Sequence, residues 1–391
     1  MRVNINLPFD QPDVLHPSPK LLELQAEGRV HRVHTAVGHE AWLVTGYDDV
    51  RDLLDDDRLG RSHPDPPKAA RTGESALFGG PVANYDTERE DHARMRAMLQ
   101  PHFSPKRMRA LRPRVEELVA GLLDEIAQSG PPADLHQALA LPLPILVICE
   151  LLGVPYEDRD RFRTWTEAAG NTRDAALSAN GLAELYLYGK ELVGRKRRKP
   201  ADDVISRLCE WPDADDDEIA RRSMALLFAG HETTVVQIGL GAAFLLGNRA
   251  QWRALRDDPE LIGTAVEEIM RAPGGLGGGI PRYARVDLEI GGTPVKAGEL
   301  VLLDVGAGNH DPAAFTEPER FDVARREGGH LAFGHGARYC VGAPLARIEL
   351  QAVFSQLIPK FPDMRLAVPV ETLKVRTDSL TRGLLELPVT W

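Results

Sequence analysis

The chain has 391 residues, 43% hydrophobic and 27% charged, which suits a soluble globular protein with a core large enough to enclose a cofactor; length alone allows two or three domains. With 47 Lys+Arg against 58 Asp+Glu the net charge is -11, which disfavours nucleic acid as a main partner. The 3 cysteines, Cys149, Cys209 and Cys340, are odd in number and far apart, arguing against a disulfide framework and against a Cys-rich zinc site.

The opening "MRVNINLPFDQPD" has no continuous apolar stretch, so no signal or anchor is expected and the protein is assigned to the cytoplasm. Residues 25–63 mix β-like runs such as "AWLVTGY" with helix-like "DDVRDLLDDDRL", and residues 64–90, rich in Pro, Gly, Asp and Ala, read as a long loop. From His92 to Arg271 the pattern is helical, and "RMRALRPRVEELVAGLLDEIAQ" closes near Gly130. Cys149 and Cys209 lie in apolar runs and read as core residues. The apolar stretch at 223–247 is long enough for a membrane span, but His231, Glu232, Thr233, Thr234 and Gln237 interrupt it; a buried helix opening after "DADDD" is the better reading.

Residues 274–310 turn to Gly, Pro and β-branched residues, as in "DLEIGGTPVKAGELVLLDV", and predict short strands. A helix follows Cys340 over 343–361, and the tail "LLELPVTW" reads as strand. The fold class is therefore mainly α with a minor β portion drawn from both ends of the chain, with no repeat or clear linker.

Cys340 stands in "LAFGHGARYCVG". A phosphate loop fits poorly, since no Lys-Ser/Thr follows the glycines. Backbone N–H groups at the start of the next helix, with Arg338 nearby, favour a thiolate, and one thiolate can hold haem iron while the glycines let backbone approach a flat macrocycle.

"FGHGARYCVG" resembles, at every defined position, the haem-ligand signature Phe-Gly-x-Gly-x-Arg/His-x-Cys-x-Gly of the cytochrome P-450 superfamily. "AGHETT" (229–234) resembles that family's oxygen-activating segment, "EEIMR" its Glu-x-x-Arg pair (Glu268, Arg271), "PERF" the accompanying arginine (Arg320), and "HARMR" its His-x-x-x-Arg propionate clamp. The motifs lie in the family's order, and the likeness covers nearly the whole chain. It implies one domain over 1–391, with haem between a long central helix and a Cys-bearing loop-helix.

The resemblance further implies haem b, with Cys340 as the metal ligand and Ala229, Gly230, Phe333, Gly334 and Gly342 against the cofactor. His92, Arg96, Arg282, His330 and Arg338 are implied as propionate donors. Thr233 and Glu232 are the implied catalytic pair, carrying protons so that O–O cleavage outruns peroxide release; the alternative is a structural pair, with Thr233 bonding the carbonyl of Ala229, and the functional reading is preferred. Glu268, Arg271 and Arg320 are implied as a buried structural network. The substrate pocket is expected at Leu227, Phe228, Ala229, Thr233, Leu276, Leu380 and Thr381.

The implied reaction is insertion of one oxygen atom from dioxygen into a C–H bond or alkene of a small-molecule substrate, with electrons from ferredoxin and ferredoxin reductase, since no flavin or NAD fingerprint is present. The basic run 106–114 is a candidate docking face, though such runs are usually solvated helix surface. Bulky side chains are sparse in "GGLGGGIP", leaving room for a large substrate such as a bacterial macrolide or other polyketide in antibiotic biosynthesis. Rival readings are a peroxygenase, an isomerase, an oxidative coupling enzyme, or a haem sensor or electron carrier.

Overall fold

The computed structural model describes residues 5–274 and 278–391. Leu276, expected in the substrate pocket, lies outside the described residues. The β portion is led by a five-stranded sheet of β1 (Val30–His34), β2 (Glu40–Val44), β3 (Leu59–Gly60), β4 (Ile280–Ala284) and β5 (Leu300–Leu303), in the order β1-β2-β5-β4-β3. Strands from residues 30–60 thus pair with strands from residues 280–303, and Trp42 lies opposite Val301 in the one parallel pairing of that sheet. Alternating side chains bury Val33, Leu43, Leu300 and Leu302 in one cluster and Val44, Val301 and Leu303 in another, so both faces of the sheet are covered.

The helical body contains α1 (Glu88–Leu99), α2 (Pro105–Ser129), α3 (Pro142–Leu152), α4 (Arg159–Ala169), α5 (Ala175–Arg198), α6 (Asp216–Gly247), α7 (Ile262–Arg271) and α8 (Ala343–Lys360). Sequence chemistry sets the ends. Pro105 occupies the first turn of α2, where its missing N–H costs nothing, and Gly130 ends it at φ +73°, a conformation a side chain would strain. Asp215 caps α6, its carboxylate accepting the N–H of Glu218 at 2.6 Å, while Asp216, Asp217 and Glu218 add favourable charge to the first turn.

From that start α6 runs 32 residues without interruption through Glu232 and Thr233. Its second half is apolar nearly all round and packs between α5, α3, α7 and α8, which explains a membrane-like stretch in a helix buried by protein. Among the described residues no helix is long and apolar enough to cross a membrane.

The Glu268–Arg271 pair is buried as the resemblance implied, bonded at 2.7 and 2.9 Å, but Arg320 does not complete it. The Arg320 side chain is more than half exposed and reaches Glu317 and Asp322. Arg325 instead meets Glu268 at 3.2 Å, and the carbonyl of Arg320 only accepts from it. Removing one partner of a buried ion pair leaves an uncompensated charge, so Glu268→Ala is expected to cost about 3–5 kcal/mol. Arg320→Ala should stay within about 0.5 kcal/mol. Urea-unfolding midpoints of the two variants check both values.

Candidate active site

Between α6, α1, β4 and the Cys340 loop lies a cavity of about 1220 Å³. Cys340 lines it together with Val341, and Phe228, Ala229 and Thr233 of α6 line it as well. Leu77, Leu182, Tyr186, Met224 and Leu380 extend apolar walls beyond them.

The cysteine is held by backbone. Its N–H donates to the carbonyl of Phe333 at 2.8 Å, and Gly334, at φ +73°, turns the chain back. Gly336 is needed for space as well: a Cβ there would lie 1.8 Å from Asp55 Oδ1, the carboxylate oxygen that also accepts the N–H of Ala337. Burial pushes the Cys340 thiol up, against the N–H groups of Gly342 and Ala343 and the charges of Arg96 and Arg347. Those two arginines, rather than Arg338, are the cations acting on the sulfur. Without iron the thiol form is favoured; a bound metal deprotonates a coordinating thiol outright.

Behind the loop, Arg347 grips Glu267 at 2.7 and 2.8 Å and stacks over Phe333 at 4.6 Å. Burial alone would raise the Glu267 carboxyl, yet Arg347 and His330 hold it at about 2. His330 is turned to Glu267, 3.1 Å from Nε2 to Oε2, and lies outside the cavity lining, so as placed it braces the loop rather than facing a cofactor edge. Phe333 is likewise behind the loop, packed with His330 and Tyr339.

At the β4 end of the cavity the charges are lopsided. Arg61, His92, Arg96, Arg282 and Arg338 line it, and the acid among them is Glu88, buried and bonded to Arg338 at 2.6 Å. Arg96 also donates to the Tyr339 carbonyl at 2.8 Å, tying α1 to the Cys340 loop. Burial and mutual repulsion lower Arg61 to about 10, Arg282 to about 9 and His92 to about 4. A site that penalises its own cations is complementary to an anion, which would offset both the burial and the repulsion. A thiol on the floor, a crowded cationic rim and an apolar body fit an iron porphyrin with two carboxylates. Arg61 carries as much of that argument as any of the expected residues, and the sequence reading missed it.

On α6, the faces separate by helical rotation of about 100° per residue. Phe228, Ala229 and Thr233 face the cavity. Leu227 is fully buried in the core, off the cavity, and a Cβ at Gly230 would lie 2.7 Å from Ile148 Cδ1, so the glycine lets α3 approach. Thr233 Oγ1 donates to the Ala229 carbonyl at 2.9 Å. Burial pushes the Glu232 carboxyl up, and Thr381 Oγ1 donates to its Oε2 at 3.0 Å. Leu380 lines the cavity; Thr381 does not and serves Glu232 instead.

The cytochrome P450 family model matches residues 195–365. The pentalenolactone synthase of Streptomyces exfoliatus is 44% identical over 395 residues, covering 98% of each chain. The chain belongs to the cytochrome P450 family. The mycinamicin IV hydroxylase/epoxidase of Micromonospora griseorubida is 39% identical over 98% of each chain. In three dimensions, the substrate-free cytochrome P450 PimD, a polyene macrolide antibiotic pimaricin epoxidase, superposes with a TM-score of 0.90 at 39% identity, covering 100% of both chains. As a cytochrome P450 the protein is a haem-iron monooxygenase.

Proposed function

We propose that this cytochrome P450 would hold haem b with Cys340 as the protein ligand to its iron and that it hydroxylates or epoxidises a large, mainly apolar bacterial secondary metabolite. The observation that carries the reading is one cavity lined at once by Cys340, by Thr233 and Ala229 opposite, and by the cation cluster at its rim. Arg61, His92, Arg96, Arg282 and Arg338 would hold the two propionates, and the N–H groups of Gly342 and Ala343 would steady the sulfur. When bound, the haem iron reduces dioxygen with two electrons and two protons, placing one oxygen atom in the substrate and releasing the other as water.

The chain's own residues orient, shield and supply protons. The apolar walls hold substrate and exclude water from the Cys340–Thr233 region. Thr233, its hydrogen committed to Ala229, presents its oxygen lone pairs to the cavity, where they can accept from an ordered water. Glu232 keeps a proton to higher pH than an exposed carboxyl and is the internal donor.

Electrons would come from a ferredoxin served by its reductase, in the cytoplasm. Arg112 is bonded to Gln351, and Arg114 to Glu150 and Glu117, so the second half of the basic run is occupied internally. Lys106 and Arg109 remain exposed on α2, which packs on α8 directly behind Cys340, and suit an acidic partner.

A substrate of macrolide or similar size is supported by the macrolide-oxidising relatives and by the apolar walls of Leu77, Leu182, Tyr186 and Met224 beyond the part of the cavity that haem would fill. Titrating the ferric protein with candidate metabolites tests this: polyketide-sized ligands should shift iron from low to high spin, and a response confined to small aromatics would overturn the substrate class.

A further inference from the structure

Glu232 sits in an apolar helix, so it needs both a polar partner and a route by which its proton is replaced. Among the described residues, Thr381 supplies the one side-chain hydrogen bond to it, at 3.0 Å. Thr381 Oγ1 in turn lies 3.2 Å from Ser379 Oγ. Ser379 is buried, yet it lines a second cavity, of about 660 Å³, bordered by Thr35, Thr72, Glu74, Ser75 and Arg173. Phe78, Gly279, Ile280, Pro281 and Leu380 line both cavities and stand between them. Thr381 lines neither, so the hydroxyl pair passes behind Leu380, from the second cavity to the acid.

We infer that the second cavity is a water-filled antechamber and that Ser379 and Thr381 relay protons from it to Glu232. The inference rests on Glu232 as the internal proton donor. A hydronium proton moves to Ser379 Oγ, leaving water in the antechamber, as the hydrogen of Ser379 moves to Thr381 Oγ1 and that of Thr381 to the Glu232 carboxylate. One proton leaves the antechamber, one arrives at Glu232, and no electron moves; rotation of both hydroxyls resets the pair. Both spacings fall within or just beyond ordinary O–H···O distances. Glu74, Arg173 and the hydroxyls of Thr35, Thr72, Ser75 and Ser379 on that border offer ordered water its polar partners. The charges facing Glu232 are Arg376 and His136, neither hydrogen-bonded to it; Arg376 is in turn near Glu167 and Asp378, and His136 near Asp134. Thr381 is thus a positioning residue for Glu232, and Ser379 is the inlet.

The infrared spectrum of the ferric holoenzyme, which needs neither substrate nor redox partner, reads the first link. The protonated-carboxyl band that disappears in Glu232→Gln should move to higher frequency in Thr381→Val and return in Thr381→Ser, which restores the hydroxyl. Ser379→Ala should leave that band in place but lower the product formed per NADPH about tenfold, less than the roughly 100-fold that loss of a positioned proton donor itself costs. An unmoved band in Thr381→Val, or wild-type coupling in Ser379→Ala, overturns the relay. If Glu232→Gln itself couples normally, the role of Glu232 fails; if only that variant uncouples, the relay fails alone.

Discussion

Cys340→Ser is expected to fold, to bind haem more weakly, and to lose the red-shifted Soret band that thiolate ligation gives the reduced carbon monoxide complex. The substitution is nearly isosteric, and the bond from the Cys340 N–H to the Phe333 carbonyl is main chain, so the loop geometry survives. What changes is the donor. The N–H groups of Gly342 and Ala343 that offset burial of a thiolate would face a hydroxyl, which stays protonated and donates little charge to iron. Product formation should fall by more than about 100-fold, beyond what outer-shell changes alone cost metal sites. A variant that kept the red-shifted band would show that another residue ligates the iron.

Much of this site was legible because its pieces are local. The Cys340 loop, the Glu232–Thr233 pair and the clamp of α1 are each short runs in which residue type and spacing coincide, and the ends of α2 and α6 are marked by Pro, Gly and Asp. Illegible were the features that depend on where a side chain points. Arg320 and Arg325 are both near enough in sequence to serve Glu268, and only the turn between them decides that Arg325 does. Leu227 and Gly230 share a motif with Ala229, yet helical rotation turns them to the core and to Ile148. Arg61 follows a two-residue strand and belongs to no pattern; the pairing of β3 with β4 brings it beside Arg282 and Arg338. Thr381 was expected in the substrate pocket, but in the bend at 380–381 Leu380 lines the cavity and Thr381 turns to Glu232 instead.

Glu232→Gln and Thr233→Ala are expected to separate consumption of NADPH from formation of product. Thr233→Ala removes the hydroxyl that faces the cavity, so reduction continues while protons reach the oxygen site without order; peroxide should rise and product per NADPH fall at least about tenfold, the low end of what a positioned proton donor contributes being about 100-fold. Glu232→Gln keeps shape and hydrogen bonding to Thr381 but cannot release a proton, so coupling should fall as far, and its pH dependence should differ. In the wild type, burial raises the carboxyl above its usual 4.5, so the donating form persists upward in pH and is lost once pH passes that raised value. The alkaline decline in coupling should therefore be absent from the Gln variant. Stability follows with a definite sign. Between the usual and the raised pKa the folded state binds more protons than the unfolded one, so Glu232 makes stability fall as pH rises through that window. Glu232→Gln should remove that slope and unfold at higher urea than the wild type at neutral pH, while turning over less product. A Gln variant that is both less stable and fully coupled would mean that Glu232 is there for structure.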